Sequence, residues 1–263
     1  MATTTERNLE GRIGAVTGAS SGIGEAIAIE LADRGAAVVV NARREERLDE
    51  LVQTIRKRGG RAAAVPGDAA SRAVIGAMLD EARQSFGAEA DIVVANAGRG
   101  LAGSVVTSDD SQWEEMIRTN VLGCARLIRA AALRMAPEGK GAGALLDKAR
   151  DIVVIGSNVG RHVSPYSSMY GSTKFAAMAL AEGARRELGP KGVRVSLVEP
   201  GIVESEFQGV AGYDDSWRAQ FFEKFGPVLA PADIARMITF IVSQPAHVHV
   251  NNTLIRPTRQ DYP

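Results

Sequence analysis

The sequence has little cysteine, little aromatic content and no excess of charge. Cys124 is the single cysteine among 263 residues, which excludes an intrachain disulfide, and its place in a helical pattern favours a small core residue over a reactive thiol. Lysine plus arginine and aspartate plus glutamate each number 31, without a long block of either sign. This balance indicates neither a nucleic-acid partner nor an anionic membrane surface, so we expect a small-molecule partner.

Long apolar runs, targeting signals and repeats are also missing. No apolar run approaches the roughly 18 residues that span a bilayer. The first residues, Met-Ala-Thr-Thr-Thr-Glu, lack the basic and apolar regions of a signal peptide. Because 45% of the residues are hydrophobic and no linker interrupts the chain, we expect one soluble, cytoplasmic domain over residues 1–263.

A glycine-rich stretch, Thr17-Gly-Ala-Ser-Ser-Gly-Ile-Gly24, separates the apolar run 13–16 from a helical pattern at 25–34. Its glycines allow a sharp turn out of a strand, and the helix N-terminus would face a diphosphate. The spacing is not G-x-G-x-x-G, so the strand–turn–helix setting, rather than the pattern, favours a nucleotide over a flexible turn without ligand. The predicted cofactor contacts here are Gly18, Ser20, Ser21, Gly22, Ile23 and Gly24.

Strand and helix patterns alternate along the chain. We predict strands at 13–16, 36–40, 61–65, 91–95, 151–155 and 193–198, and helices at 25–34, 45–58, 73–86, 111–135 and 166–188. This alternation predicts an α/β fold: one doubly wound, mostly parallel Rossmann-type sheet in a single domain, which binds its ligand at the carboxyl edge. Residues 137–150 are predicted to form a loop with at most one helical turn, and no chemistry is assigned to them.

The end of the second strand indicates the cofactor. Ala42 leaves a gap where an acidic side chain would hold the ribose of NAD, whereas Arg43 and Arg44 offer guanidinium groups suited to a 2′-phosphate. This favours NADP. In the alternative, both arginines only begin the next helix and pair with Glu45 and Glu46.

Two polar residues have open roles at this point. Asp68, just beyond the third strand, could bind the adenine amino group or cap the next helix. Asn120 lies inside the predicted helix 111–135, where asparagine is unfavourable. It either faces solvent or deforms the helix to hold a water molecule.

Tyr170 and Lys174 share one face of a predicted helix, and Ser157 ends the preceding strand. A neighbouring ammonium would stabilise a phenolate and lower the tyrosine pKa from about 10 towards the range of a general acid or base. Ser157 could polarise a carbonyl close by. The spacing alone often occurs by chance, but its conjunction with Asn120 and the glycine-rich turn indicates catalysis.

These motifs, with Asn96-Ala-Gly98, Tyr170-Gly-Ser-Thr-Lys174 and Pro200-Gly201, resemble the short-chain dehydrogenase/reductase family over nearly the whole chain. The resemblance implies that Tyr170 donates a proton to the carbonyl oxygen and that Ser157 hydrogen-bonds the same oxygen. It further implies that Lys174 lowers the tyrosine pKa and holds the nicotinamide ribose, and that Asn120 anchors a proton-relaying water. Further cofactor residues implied in this way are Asp68, Asn96, Ala97, Gly98, Pro200, Gly201, Val203 and Ser205. Ala95 stands where the family often has an asparagine, and Ser205 stands where it often has a threonine.

The ending 245–257 looks like the NADP-dependent 3-hydroxy acid and serine dehydrogenases and the clavulaldehyde reductases. In such relatives the last strand and a helix before it build a tetramer interface, so a homo-oligomer, tetramer or dimer, is expected. His247 and His249 alternate on a predicted strand, but no third ligand is near in sequence, which favours surface placement over a metal site. No metal is predicted.

Residues 202–229 are predicted to form a substrate lid, because they hold six of the thirteen aromatic residues: Phe207, Tyr213, Trp217, Phe221, Phe222 and Phe225. Equally, the three phenylalanines at 221, 222 and 225 could pack an interface or a core helix. His162 and Tyr166 are further candidates for the pocket wall.

The sequence therefore predicts an NADP-dependent oxidoreductase that transfers a hydride between NADPH and a carbonyl substrate of the aldehyde, ketone or 3-oxo/3-hydroxy acid class. The main alternative is a cofactor-sensing or scaffold protein of the same fold without turnover. The four residues Asn120, Ser157, Tyr170 and Lys174 argue against it, since a non-catalytic protein needs none of them.

Overall fold

A computed structural model describes residues 7–136, 147–162, 164–213 and 215–262. The first ten residues of the predicted loop at 137–146 lie outside the described residues. Residues 147–150 lead into the fifth strand without regular structure, as expected for a loop.

Seven strands form one sheet in which every neighbouring pair is parallel. The strands are β1 Ile13–Thr17, β2 Ala37–Ala42, β3 Arg61–Pro66, β4 Ile92–Ala95, β5 Asp151–Ile155, β6 Arg194–Pro200 and β7 Asn252–Ile255. Their order across the sheet is β3-β2-β1-β4-β5-β6-β7. The predicted doubly wound α/β fold is confirmed. The six strands whose bounds were predicted correspond to β1 to β6.

Helices connect the strands and cover both faces of the sheet. They are α1 Gly22–Asp33, α2 Glu45–Lys57, α3 Arg72–Phe86, α4 Trp113–Ile117, α5 Cys124–Met135, α6 Ser168–Leu188, α7 Phe207–Val210, α8 Asp215–Phe225 and α9 Pro231–Val242. A π-helical segment, Arg118–Gly123, joins α4 to α5. Among the described residues, no helix combines the length and the apolar character needed to cross a membrane.

The central strands are apolar throughout because both of their faces are buried. Along β2, Val38 and Val40 belong to a core beneath α1, α2 and α9, whereas Ala37 and Val39 belong to the core beneath α3, α5 and α6. Cys124 belongs to the second core, where burial raises the pKa of its thiol to about 11. It is a core residue with an unreactive, protonated thiol.

A buried network of charges ties the strands together at their amino ends. Asp151, at the start of β5, accepts from Arg12 Nη2 at 2.9 Å and from Arg194 Nε and Nη2 at 2.7 and 2.9 Å. Arg12 also donates to Asp91 Oδ1 at 2.9 Å. Burial disfavours the Arg12 charge, but the nearby carboxylates of Asp91 and Asp151 leave its pKa raised above the usual value. Lys148 Nζ lies 3.5 Å from Asp91 Oδ2, so three cations surround two anions where β1, β4, β5 and β6 begin.

The opposite, carboxyl edge of the sheet carries the polar groups that the sequence singled out. The strand order reverses between β1 and β4, because connections from β1 lead to one side and those from β4 lead to the other. Such a reversal opens a crevice in which α/β proteins bind ligands. The glycine-rich turn follows β1 directly at this crevice.

The prediction that His247 and His249 lie on a strand is wrong. Strand β7 begins at Asn252, and both histidines precede it in irregular chain. His249 Nε2 lies 3.0 Å from the Val195 carbonyl oxygen, and burial lowers the pKa of its ring. His247 is exposed. The chain around both histidines is held by hydrogen bonds to side chains and carbonyl oxygens of β6, and it does not pair with β6 as a strand.

Candidate active site

One cleft of about 930 Å³ opens at the carboxyl edge of the sheet. Its lining includes the residues predicted at the cofactor and at the reacting centre, apart from two. The lining residues among them are Gly18, Ser20, Ser21, Gly22, Ile23, Arg43, Arg44, Asp68, Asn96, Ala97, Gly98, Ser157, Tyr170, Lys174, Pro200, Gly201, Val203 and Ser205. The two exceptions, Gly24 and Asn120, are buried behind the wall of the cleft.

The glycine-rich turn requires its glycines for two separate reasons. Gly18 and Gly22 have φ of +67° and +60°, a conformation that side chains with a Cβ rarely adopt. A Cβ on Gly24 would lie 2.3 Å from the Gly18 carbonyl oxygen, so this glycine allows α1 to pack on the turn. The turn thus exposes backbone to the cleft at the N-terminus of α1, which matches the shape and charge of a diphosphate.

Thr17 and Asn96 hold this turn against the end of β4. Asn96 Nδ2 donates to the Thr17 and Gly18 carbonyl oxygens at 2.9 and 3.2 Å. Thr17 Oγ1 accepts from the Asn96 and Ala97 backbone N–H groups, each at 3.1 Å. A Cβ on Gly18 would meet Ala97 Cα at 2.8 Å, which shows how closely the two chains approach. The turn is therefore tied to the end of β4 by four hydrogen bonds.

The reacting groups lie just after β5 and on α6. Ser157 lines the cleft together with Tyr170, and its hydroxyl donates to Asn158 Oδ1 at 3.2 Å. Lys174, one helical turn further along α6, is buried, and its Nζ lies 5.8 Å from the centroid of the tyrosine ring. Lys174 Nζ donates to the Ile155 carbonyl oxygen at 2.9 Å. The structure thus brings together the three side chains that the sequence predicted to meet.

The protonation of this group differs from the sequence prediction. The pKa of Tyr170 is raised, not lowered, because burial disfavours the phenolate more than the hydrogen bond from Ser157 stabilises it. Burial also lowers the pKa of Lys174 to about 8, since it disfavours the ammonium. Lys174 thus still carries its ammonium at neutral pH, but burial of Tyr170 outweighs any stabilisation of the phenolate, so the phenol stays protonated.

Asn120 does not face solvent. Its side chain is buried, accepts from the Arg99 N–H at 2.9 Å, and donates to the Arg99 carbonyl oxygen at 2.9 Å and to Thr173 Oγ1 at 3.0 Å. The backbone around it is π-helical, so the predicted deformation of the helix is present. Asn120 thereby joins the loop after β4 to helix α6, close behind Lys174.

Asp68 does not cap the helix that follows it. Ser71 is the N-cap of α3, and its hydroxyl accepts from the Val74 N–H. Asp68 instead accepts from the Ala70 N–H at 2.9 Å and pairs with Arg118. Asp68 lines the cleft, and of the two roles considered for it the cap is excluded.

The two arginines after β2 do not form the ion pairs with Glu45 and Glu46 that the alternative reading predicted. Arg43 is 76% exposed and lies 3.9 Å from Glu115, whereas Arg44 pairs with Glu206 at 3.1 Å. Their partners are thus residues across the cleft mouth and not Glu45 and Glu46 of their own helix.

Aromatic side chains of segment 202–229 form much of the substrate side of the cleft. The ring centroids of Phe207 and Tyr170 lie 5.5 Å apart. Those of Phe221 and Phe225, which contact edge to face, lie 5.3 Å apart. Tyr213 and Phe222 also line the cleft. The side chain of Trp217 lies outside the described residues. Of the two candidates before α6, Tyr166 lines the cleft, whereas exposed His162 is not part of its wall.

Several cleft residues were not predicted from the sequence, and two of them make contacts across the cleft. Gln260, near the end of the chain, is buried and accepts from the Ile202 N–H at 3.0 Å. Glu206 bonds Arg44 across the cleft. Neither contact joins residues close in sequence or belongs to a motif. The one local signal is Gly201, where a Cβ would lie 2.2 Å from Gln260 Oε1. Within the described part of the chain, no cluster of three or more His, Cys, Asp or Glu side chains could hold a metal ion.

Comparison with known proteins agrees with this geometry. The family model for short chain dehydrogenases matches residues 12–215. An uncharacterized oxidoreductase of Staphylococcus aureus strain MW2 is 32% identical over 249 residues, which cover 95% of this chain and 98% of the relative. An uncharacterized oxidoreductase of Staphylococcus saprophyticus is also 32% identical, with the same two coverages.

Solved structures match over the same length. A serine dehydrogenase in complex with NADP+ is 30% identical, with a TM-score of 0.80 and coverage of 95% of this chain and 96% of the other. An alcohol dehydrogenase from the archaeon Thermococcus sibiricus is 28% identical, with a TM-score of 0.80 and coverage of 96% and 99%. The chain therefore belongs to the short-chain dehydrogenase family of oxidoreductases.

Proposed function

We propose that the protein is an NADP-dependent oxidoreductase that transfers a hydride between NADPH and an aldehyde, a ketone or a 3-oxo/3-hydroxy acid. The observation that carries this proposal is that Ser157, Tyr170 and Lys174 come together in the same cleft as the glycine-rich cradle. A cofactor-sensing or scaffold protein would need the cradle but not these reacting groups.

In reduction, Tyr170 Oη donates its proton to the carbonyl oxygen, and the Ser157 hydroxyl donates a hydrogen bond to the same oxygen. When bound, NADPH supplies the hydride that the carbonyl carbon receives. Lys174 holds the nicotinamide ribose, and Asn120 anchors a water molecule that returns a proton towards Lys174. The aromatic residues at 207, 213, 221, 222 and 225 form a lid that excludes water from the carbonyl.

The preference for NADP rests on the residues after β2. Ala42 supplies no carboxylate for the ribose, and the largely exposed Arg43 guanidinium is available to a 2′-phosphate. Two similar structures, the serine dehydrogenase and the Thermococcus alcohol dehydrogenase, contain NADP+ and 5-hydroxy-NADP. A 3-ketoacyl-(acyl-carrier-protein) reductase from Brucella melitensis, 25% identical, contains NADH, so the family alone does not select the cofactor.

We further propose a cytoplasmic homo-oligomer, dimer or tetramer. Helix α9 and strand β7 each present an apolar side chain to solvent, Phe240 at 54% and Leu254 at 36% exposure. Burial of such side chains against a second copy of the chain would support assembly.

The direct test is turnover. NADPH oxidation should be measured with a panel of aldehydes, bulky ketones and 3-oxo acids, and NADP+ reduction with the corresponding alcohols and 3-hydroxy acids. Turnover with at least one class is expected. Tight NADPH binding without turnover on any of them would instead support the cofactor-sensing alternative.

Arg43→Ala should weaken NADPH binding about 10- to 100-fold, because a charge-assisted contact to phosphate contributes about 1.5–3 kcal/mol. NADH binding should change less than about twofold. Dissociation constants from isothermal titration measure both. Arg47→Ala is the matched control, since it removes the same charge from α2, where Arg47 pairs with exposed Glu50 at 3.6 Å. Equal losses of NADPH and NADH in Arg43→Ala would contradict the 2′-phosphate role.

The raised pKa of Tyr170 predicts that the rates of carbonyl reduction and of alcohol oxidation depend differently on pH. Reduction uses the protonated phenol, which is the dominant form below its pKa, so kcat/KM for reduction should be constant between about pH 6 and 7.5. Oxidation uses the phenolate, whose fraction rises about tenfold per pH unit below the pKa. Oxidation rates that reach a plateau near pH 7 would show that the phenol titrates at neutral pH and contradict this assignment.

A further inference from the structure

Glu206 lies at the base of the lid, against the phosphate cradle. Arg44 Nη1 donates to its Oε2 at 3.1 Å, while Nη2 of the same guanidinium donates to Ser20 Oγ at 3.0 Å and to Ser21 Oγ at 2.8 Å. Arg44 comes from the end of β2 and Glu206 from the chain after β6, so the pair spans the cleft. One guanidinium thus joins this carboxylate to the two serine hydroxyls of the cofactor turn.

This carboxylate has the properties of an anion bound in the cradle. The pKa of Glu206 is lowered, first by its hydrogen bond with Arg44 and then by one with Ser21, so it is ionised at neutral pH. The adjacent Ser205 packs on the turn, because a Cβ on Gly22 would lie 3.3 Å from Ser205 Cβ. Ser21 precedes α1 without capping it through its side chain, which is engaged with Arg44 instead.

We propose that Glu206 competes with the cofactor for Arg44: its carboxylate occupies the anion position of Arg44, Ser20 and Ser21, and the 2′-phosphate of NADP binds there by displacing it. This inference rests on the proposed preference for NADP. A phosphate of nearly two negative charges and a carboxylate of one cannot share a single guanidinium without repulsion. NAD, which lacks the 2′-phosphate, leaves the pair intact, so Glu206 affects the two cofactors differently.

Direct binding tests this role without relying on turnover. Adenosine 2′,5′-bisphosphate, 5′-AMP, NADPH and NADH should each be titrated calorimetrically into the wild type, Glu206→Gln and Glu204→Gln. Glu204 is the matched control, because it is an exposed glutamate of the same loop whose backbone N–H donates to the Leu229 carbonyl oxygen. Both substitutions remove one negative charge from the same loop.

Glu206→Gln should bind the 2′-phosphate ligands, the bisphosphate and NADPH, about two- to fivefold more tightly, which is the size of an exposed ion pair. Binding of 5′-AMP and NADH should not change, nor should any affinity in Glu204→Gln. The gain should shrink in high salt, because exposed charges are screened.

Three results would overturn the competitor role. Weaker NADPH binding in Glu206→Gln would show that the pair clasps the bound cofactor, and unchanged binding would show that the carboxylate does not compete. An equal gain in affinity in Glu204→Gln would show that the tighter binding comes only from the loss of one negative charge. Failure of the proposed function is detected separately, by the titrations of the wild type. If the wild type binds NADPH and NADH with equal affinity, the protein has no preference for NADP, and the competitor role fails with that preference.

Discussion

Tyr170→Phe should abolish measurable turnover while leaving NADPH binding intact. The substitution removes the proposed proton donor, and general acid catalysis contributes about 10²- to 10⁴-fold to rate. The phenylalanine ring keeps the packing against Phe207, so the cleft should keep its shape. Steady-state kinetics with the best substrate of the panel and NADPH titration of the same preparation measure the two effects.

Ser157→Ala gives this experiment its internal control. Ser157 supports the same oxygen but transfers no proton to it, so its loss should cost about 10- to 100-fold, less than the loss of the phenol. Because the two groups act on one atom, the double variant should be no slower than Tyr170→Phe alone. Turnover within tenfold of the wild type in Tyr170→Phe would refute the role of Tyr170 as general acid.

The fold could be predicted from sequence because each local pattern agreed with the global arrangement. Apolar runs such as 36–40 are long enough for a strand and too short for a helix, and the helices between them require parallel strands. The glycine-rich turn was likewise predictable, since its glycines are required by backbone conformation and close packing within a few residues of one another. The unfavourable Asn120 indicated a deformation of its helix as one of two alternatives, but not the π-helical form that the deformation takes.

What sequence could not supply was the electrostatic environment. The four-residue spacing of Tyr170 and Lys174 predicts that they are neighbours, but it carries no information on their burial, which depends on the packing of α6 against β6 and the segment 202–229. Burial reversed the predicted direction of the Tyr170 pKa shift. The pair of Arg44 and Glu206 was hidden for a related reason: 162 residues separate them, and only the crossing of two loops at the sheet edge brings them together.

Asp151→Asn should lower the free energy of unfolding by about 3–5 kcal/mol, which is the cost of removing one partner from a buried ion pair. Asp151 is 1% exposed and accepts three charge-assisted hydrogen bonds from Arg12 and Arg194. An asparagine fits the space, but it leaves the Arg194 guanidinium, itself 5% exposed, without its counterion. The change is remote from the carboxyl edge, so residual folded protein should keep its KM for NADPH.

Urea unfolding monitored by circular dichroism measures this loss, at one fixed protein concentration because assembly would add to stability. Glu187→Gln is the matched control, since its pair with Lys191 at 3.6 Å is exposed on both sides and should contribute less than about 1 kcal/mol. A loss below about 1 kcal/mol in Asp151→Asn would mean that water or the remaining carboxylate of Asp91 compensates both arginines. The larger expected loss follows from geometry: Arg194 also donates to the Gln244, Pro245 and Val248 carbonyl oxygens, so it cannot turn outward to solvent without releasing the chain that leads into β7.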